Sequence, residues 1–151
     1  MEFWISESEK IERRKKWKQD FQSIGQDVYS FFIDTAIEKG FENREGQWDM
    51  SFEIVDAMKN QQHILVEAGV GIGKTFAYIV PLLYYHKRYK KPIVIATSTI
   101  ALQEQLSADI KVIENCASHS RYFSDELDAQ NFYQNGNKCL SYSYAYGILF
   151  L

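Results

Sequence analysis

The chain has 151 residues, 46% of them hydrophobic and 15% aromatic, enough to bury one core and no more, so it is a single domain or part of one. A formal net charge of -3 excludes a surface that is basic throughout and confines any affinity for polyanions to a local patch. Met1 to Glu7 do not read as a signal peptide, the apolar run Tyr78 to Tyr85 is far too short to cross a bilayer, and Cys116 and Cys139 read as free thiols; the expected compartment is the cytoplasm, with no membrane contact.

Residues 1–40 read as a helical arm. Ser6 with Glu9 fits a capping box, and Trp17, Phe21, Ile24, Val28, Phe31 and Thr35 recur at alternating steps of four and three, which puts them on one face. Gly25 is expected to break this helix in two and Gly40 to stop it. No linker-like segment follows, so the arm is expected to pack on what comes next. Arg13-Arg14-Lys15-Lys16 beside Trp17 reads either as a nucleic-acid patch or as a solvated helix face, and the second is the better reading of the residues alone.

Met50 to Lys59 is expected to form a second helix, with Met50, Ile54, Val55 and Met58 on a shared face and Asn60 ending it. His63-Ile64-Leu65-Val66 is a short β-rich run suited to a buried parallel strand. Phe76 to Tyr85 reads as a helix, with Pro81 expected to kink it because proline lacks an N–H and crowds the carbonyl of Ala77. After the polar stretch Lys87 to Lys91, Pro92 to Thr97 is a second β-rich run, and Ser98 and Thr99 can cap a helix from Ile100 toward Asp109. The order is βαβα, which predicts an α/β domain with a parallel sheet and right-handed crossover.

Between the first strand-like run and its helix lies Glu67-Ala68-Gly69-Val70-Gly71-Ile72-Gly73-Lys74-Thr75. Gly71 and Gly73 allow backbone conformations closed to other residues, so several N–H groups can point at one set of phosphate oxygens. The helix beginning near Gly73 adds its positive end. Lys74 can then reach the β- and γ-phosphates, and the Thr75 hydroxyl is suited to Mg²⁺. The ligand expected here is a nucleoside triphosphate. Ala68 stands where the usual motif has its first glycine.

The same string resembles motif I of superfamily 2 helicases in the form used by the DinG and XPD branch. Arg44-Glu45-Gly46-Gln47-Trp48-Asp49-Met50 is similar to that family's Arg-x-Gly-Gln-x-x-Met signature, and Ile95 to Leu106 looks like its motif Ia, closest to bacterial DinG. The resemblance implies a partial RecA-like P-loop NTPase domain over residues 41–112. It implies ATP and Mg²⁺ as cofactors, held by Arg44, Gln47 and Ala68 to Thr75 with Lys74 and Thr75 at the reacting phosphates. It also implies single-stranded DNA as partner, contacted by Thr97, Ser98, Thr99 and Gln103. A glutamine amide offers donor and acceptor together, which distinguishes adenine from guanine. Hydroxyls at a strand-to-helix edge can hold strand phosphates, or can simply cap the helix.

Phosphoryl transfer to water also wants an acidic residue to hold Mg²⁺ and orient the water, with arginines against the developing charge. The family supplies these from an Asp-Glu-Ala-His type motif and a second RecA-like domain. Here Asp125-Glu126 sits in poor context, so nucleotide binding without turnover is expected of these 151 residues. The apolar ending Gly147 to Leu151 resembles a truncation, and residues 113–151 have no clear assignment.

Members of this branch often carry a four-cysteine iron-sulfur cluster. Gly136-Asn137-Lys138-Cys139 vaguely resembles the stretch before its first ligand, so Cys139 is a candidate only in a complete homologue. Cys116, His119 and Cys139 make a poorer zinc set. Tyr142, Tyr144 and Tyr146 alternate like a half-buried strand. Two other classes share the loop. A small-molecule kinase should show lid arginines, where only Arg88 and Arg121 follow, and a non-catalytic ATP-binding scaffold would show no DNA dependence.

Overall fold

The computed structural model describes residues 6–118 apart from 92, 97 and 98, and not the side chains of 100, 103 and 118. Helix α1 spans Glu7–Ser30 and opens on the expected capping box. The Glu9 N–H donates to Ser6 Oγ at 3.2 Å and the Ser6 N–H to Glu9 Oε2 at 2.8 Å, so two otherwise orphaned backbone donors are satisfied reciprocally. The helix runs unbroken through Gly25. A Cβ there would lie 3.8 Å from Val55 Cγ1, so this glycine faces α3, and the buried neighbours Phe21, Ile24 and Val28 hold the turn despite its low helix propensity.

A five-residue π segment, Phe31–Thr35, follows, and then the single turn α2, Ala36–Glu38. The wider turn slips the helical phase by about one residue. As a result Phe31, Phe32 and Ala36 are buried, whereas the expected stripe position Thr35 is only half-buried. Gly40 does stop the helix. Its φ is +84°, its N–H reaches Ile37 O at 2.9 Å, and Phe41 N reaches back to Ala36 O at 3.0 Å, a Schellman-type ending.

Helix α3 spans Glu45–Asn60, five residues longer at its start than the periodicity predicts. It ends where expected, with Gln61 in the left-handed region at φ 55° and Gln62 N bonded to Ala57 O at 2.9 Å. Helix α4 spans Lys74–Tyr89 and continues across Pro81. Proline cannot donate to the Ala77 carbonyl four residues back, and the gap is filled from α3. The Ser51 hydroxyl, 0% exposed, lies 2.7 Å from Ala77 O and 3.0 Å from Gln47 O, so the carbonyl that Pro81 leaves orphaned is satisfied inside the core. Helix α5 spans Ile100–Ser118, well past the expected end near Asp109. Thr99 Oγ1 accepts the Leu102 N–H at 3.2 Å, the cap that the sequence predicts.

Helices α1, α3 and α4 pack against one another, and α5 packs on α4 and the π segment. Their core contains Phe21, Ile24, Val28, Phe31, Ile54, Ile79, Val80 and Ile113. The arm is therefore one wall of this bundle. Trp17 ties it down, donating its indole N–H to Lys59 O at 2.9 Å and packing against Tyr89 at a ring-centroid distance of 5.1 Å.

The expected α/β fold with a parallel sheet is not found. The described part is helical, and neither β-rich run is in a ladder. The run at 63–66 lies in no helix or ladder, with Ile64 and Val66 half-buried while Leu65 is 89% exposed. Ile93 and Ile95 line a small apolar pocket with Ile79, Leu82, Leu83 and Ile110, while Val94 faces out. Both runs have the two-residue alternation of a strand. A strand, however, exists through its partner's N–H and C=O groups, and among the described residues neither run has a partner beyond an isolated bridge at Ile95. Among those residues no helix is long and apolar enough to cross a membrane.

Candidate functional site

The glycine loop and the segment before α3, far apart in sequence, come together. Arg44 sits at the N-cap of α3 and donates from Nη1 to Gly71 O at 2.7 Å, across 27 positions. Glu42 steadies the same guanidinium, its Oε2 accepting from Nε at 3.2 Å and from Nη2 at 2.9 Å. Gln47, one turn into α3 and 8% exposed, donates from Nε2 to Gly73 O at 3.0 Å. Apolar contacts run alongside. A Cβ on Gly46 would lie 3.6 Å from Ile72 Cγ2, and the rings of Phe41 and Phe76 are 5.2 Å apart. The early start of α3 matters here, because it makes the arginine a cap and seats the glutamine on a rigid element.

Two glycines in the loop adopt the left-handed conformation, Gly71 at φ +86° and Gly73 at φ +83°. For Gly73 the constraint is double. A Cβ there would also collide with the Gln47 amide, so the backbone twist and the seat of Gln47 both demand glycine. Gly71 has open space beyond its Cα, and Val70 at the tip is fully exposed. Lys74 folds back over the loop, its Nζ donating to Ala68 O at 2.8 Å and Gly69 O at 2.7 Å.

No side chain caps the N-terminus of α4, which starts directly from Gly73. A helix of 16 residues therefore presents its first-turn N–H groups and the positive end of its dipole beside Gly71 and Lys74. That is a fit for phosphate oxygens. Thr75 lies in this first turn, one turn before the buried Tyr78. Burial pushes the Tyr78 phenol up, the Thr75 hydroxyl opposes this, and the Asp109 charge on α5 adds to it. Helix α5 thus brings a carboxylate into the neighbourhood of the first turn of α4.

Arg44, Gln47 and residues 68–75 are brought into one site. The predicted strand-binding set is not tested in the same way. Thr97 and Ser98 lie outside the described residues, as does the side chain of Gln103, and Thr99 serves as the cap of α5. Cys139, His119 and Tyr142 to Tyr146 also lie outside them. Cys116 is a buried free thiol, pushed up by burial and drawn partly back by Lys39. Among the described residues no three His, Cys, Asp or Glu side chains are placed to hold a metal ion. His86 has a structural role, its Nδ1 2.7 Å from Lys91 O. Sequence reasoning missed Glu42 and Ser51. Glu42 carries no signal of its own, but Ser51 had one, since a proline in a buried helix leaves a carbonyl that some donor must meet.

Comparison with known proteins gives a consistent family. The DEAD/DEAH box helicase family matches residues 50–140. The chain is 42% identical over 77 residues to the 3'-5' exonuclease DinG of Bacillus subtilis, covering 50% of this chain and 8% of that protein. It is 34% identical over 104 residues to the probable ATP-dependent helicase YpvA of the same organism, covering 69% and 16%. Against the ATP-dependent DNA helicase YoaA of Escherichia coli it is 39% identical over 82 residues, covering 54% and 12%. The chain thus spans only a small part of these relatives. No solved structure matches it.

Proposed function

Because the chain belongs to the DEAD/DEAH box helicase family, we propose that it is the ATP-binding part of a DinG-like ATP-dependent DNA helicase, with Mg-ATP held between the loop 68–75 and the start of α3. The observation that carries this is the convergence of Arg44 and Gln47 on the carbonyls of Gly71 and Gly73, which turns loop carbonyls away toward side-chain donors beside an uncapped helix N-terminus.

In this reading Lys74 exchanges its bonds to Ala68 O and Gly69 O for β- and γ-phosphate oxygens. Thr75 would hold the Mg²⁺ that accompanies the nucleotide, and the ion would supply charge neutralisation at the phosphates. Gln47 keeps one amide hydrogen on Gly73 O and offers its second hydrogen and its oxygen to the adenine edge. Thr97, Ser98, Thr99 and Gln103 contact single-stranded DNA, and hydrolysis drives translocation in the complete protein. Mg-ATP titration of the chain against Lys74→Ala tests the first step. A loss of at least tenfold is expected, and equal affinity would remove the loop from the account. The 151 residues contain no Asp-Glu-x-His sequence, so steady DNA-stimulated ATP turnover by this chain would contradict the assignment of hydrolysis to groups outside it.

A further inference from the structure

Past its capping box, α1 carries Lys10, Arg13, Arg14, Lys15, Lys16 and Lys18 within nine residues, and all six are exposed. Lys10, Arg13 and Arg14 fall on the stripe that continues as Trp17, Phe21, Ile24 and Val28, so the face that is apolar inside the bundle is cationic where the helix extends beyond it. Two other helices end at the same place. The bond from Trp17 to Lys59 O brings up the last turn of α3, and the Trp17–Tyr89 contact, with the 2.8 Å ion pair between Arg88 and Asp20, brings up the end of α4 and with it Lys90 and Lys91.

Besides Arg88, which pairs with Asp20, nine of the chain's 17 lysines and arginines gather here, though the net charge is -3. Of the nearby acids, Glu7 pairs with Lys10, Glu9 is in the capping box, Asp20 pairs with Arg88 and Asp56 accepts from Asn60, while Glu12 stands exposed among the cations and offsets one of them. Arg14, Lys15, Lys16, Lys18, Lys59 and Lys91 take part in no ion pair among the described residues. Cations at the ends of α3 and α4 also complement the helix dipoles, but that does not account for the six near the start of α1, of which Lys10 alone lies in the first turn, where the dipole disfavours a cation.

We propose that this corner of α1, α3 and α4 is a second phosphate-binding surface, and that its partner is the backbone of double-stranded nucleic acid. Single strands are gripped largely by stacking bases on aromatic faces. Here Trp17, Phe21, Tyr85 and Tyr89 pack against one another in mostly tilted pairs, with centroids 4.6 to 6.4 Å apart, which leaves the surface to work by charge. The surface lies at the opposite end of α4 from the glycine loop, about 24 Å away for 16 residues at 1.5 Å each. It shares no residue with the strand-binding set that family resemblance implies.

The test is fluorescence anisotropy of the 151-residue chain with a 20-base-pair duplex, titrated at several salt concentrations without nucleotide. The triple variant Arg13→Gln, Arg14→Gln, Lys59→Gln, which empties the stripe and the end of α3, is expected to lose about tenfold or more in affinity, and its slope of log K against log salt to fall by about three, one for each cation removed from the phosphates. Lys39→Gln with Lys111→Gln, a charge loss elsewhere, should leave both unchanged, and the absence of nucleotide keeps this test separate from that of the nucleotide loop. Circular dichroism checks that the variants fold. The proposal is overturned if the triple variant matches wild type, if the control pair weakens binding equally, or if the chain binds oligo-dT in preference to the duplex.

Discussion

Helices α3 and α4 and the β-rich runs at 63–66 and 93–96 read equally clearly in the sequence, yet they fare differently in the structure. A helix closes its hydrogen bonds within itself and needs a neighbour only for its apolar stripe. That stripe finds α1, and Met50, Ile54 and Val55 meet Ala77, Val80 and Tyr84 in one core. An extended run closes nothing by itself. Ile64, Val66, Ile93 and Ile95 turn one face inward, while Leu65 and Val94 stay out, and the backbone has no ladder among the described residues. Patterning therefore suffices for a helix but gives only half of a strand.

The sharpest break of this comparison sets Phe21→Ala against Leu65→Ala. Phe21 is 1% exposed among Trp17, Tyr85 and Tyr89, and its truncation should cost about 3–5 kcal/mol. Leu65 should cost within about 0.5 kcal/mol. Urea unfolding of both variants decides it, and a large loss at Leu65 would mean that its run is covered by a partner.

Next in size is Ser51→Ala, which strands the Ala77 carbonyl and should cost about 1–3 kcal/mol. Adding Pro81→Ala restores an N–H four residues on, so the double variant should recover most of that loss. A cycle with no coupling would show that the hydroxyl and the proline are unrelated.

At the site, Gln47→Ala should weaken Mg-ATP by about tenfold, the equivalent of one good hydrogen-bond network at roughly 1.4 kcal/mol, and should weaken Mg-GTP less. Equal losses for the two nucleotides would confine Gln47 to holding Gly73.

The smallest effect is electrostatic. Hydrogen bonding to Arg88 holds the Asp20 carboxyl below its ordinary value of 3.8, so the pair adds stability at neutral pH that is lost as pH falls below that value and through the lower folded-state one. Asp27 has the opposite sign, since burial raises it above 3.8 against the pull of Arg88 and Lys87; its carboxylate is disfavoured on folding, and that penalty fades in acid. Asp20→Asn should flatten the acid limb of a stability-against-pH curve and, for a partly exposed pair, cost about 0–1 kcal/mol near pH 7.

What could be read from the sequence follows the same division. The capping box at Ser6, the stop at Gly40, the end of α3 at Asn60 and the cap at Thr99 depend on a few adjacent residues, and all are found. The glycines of the loop were legible because positive φ has few alternatives to glycine. The π segment at Phe31–Thr35 was not, since the insertion is set by how Phe31 and Phe32 are both buried against other helices. Likewise the passage of α4 through Pro81 depends on a serine 30 positions earlier. Arg44 and Gln47 were marked by resemblance, but their engagement of Gly71 and Gly73 required the packing of α3 on α4.

The central claim concerns backbone amides, and amide chemical shifts of the isotopically labelled chain report on it directly. Adding Mg-ADP should shift the N–H resonances of Gly71, Gly73, Lys74 and Thr75 most strongly, followed by the side-chain amide of Gln47. Shifts centred elsewhere, or no change in these four at saturating nucleotide, would contradict it.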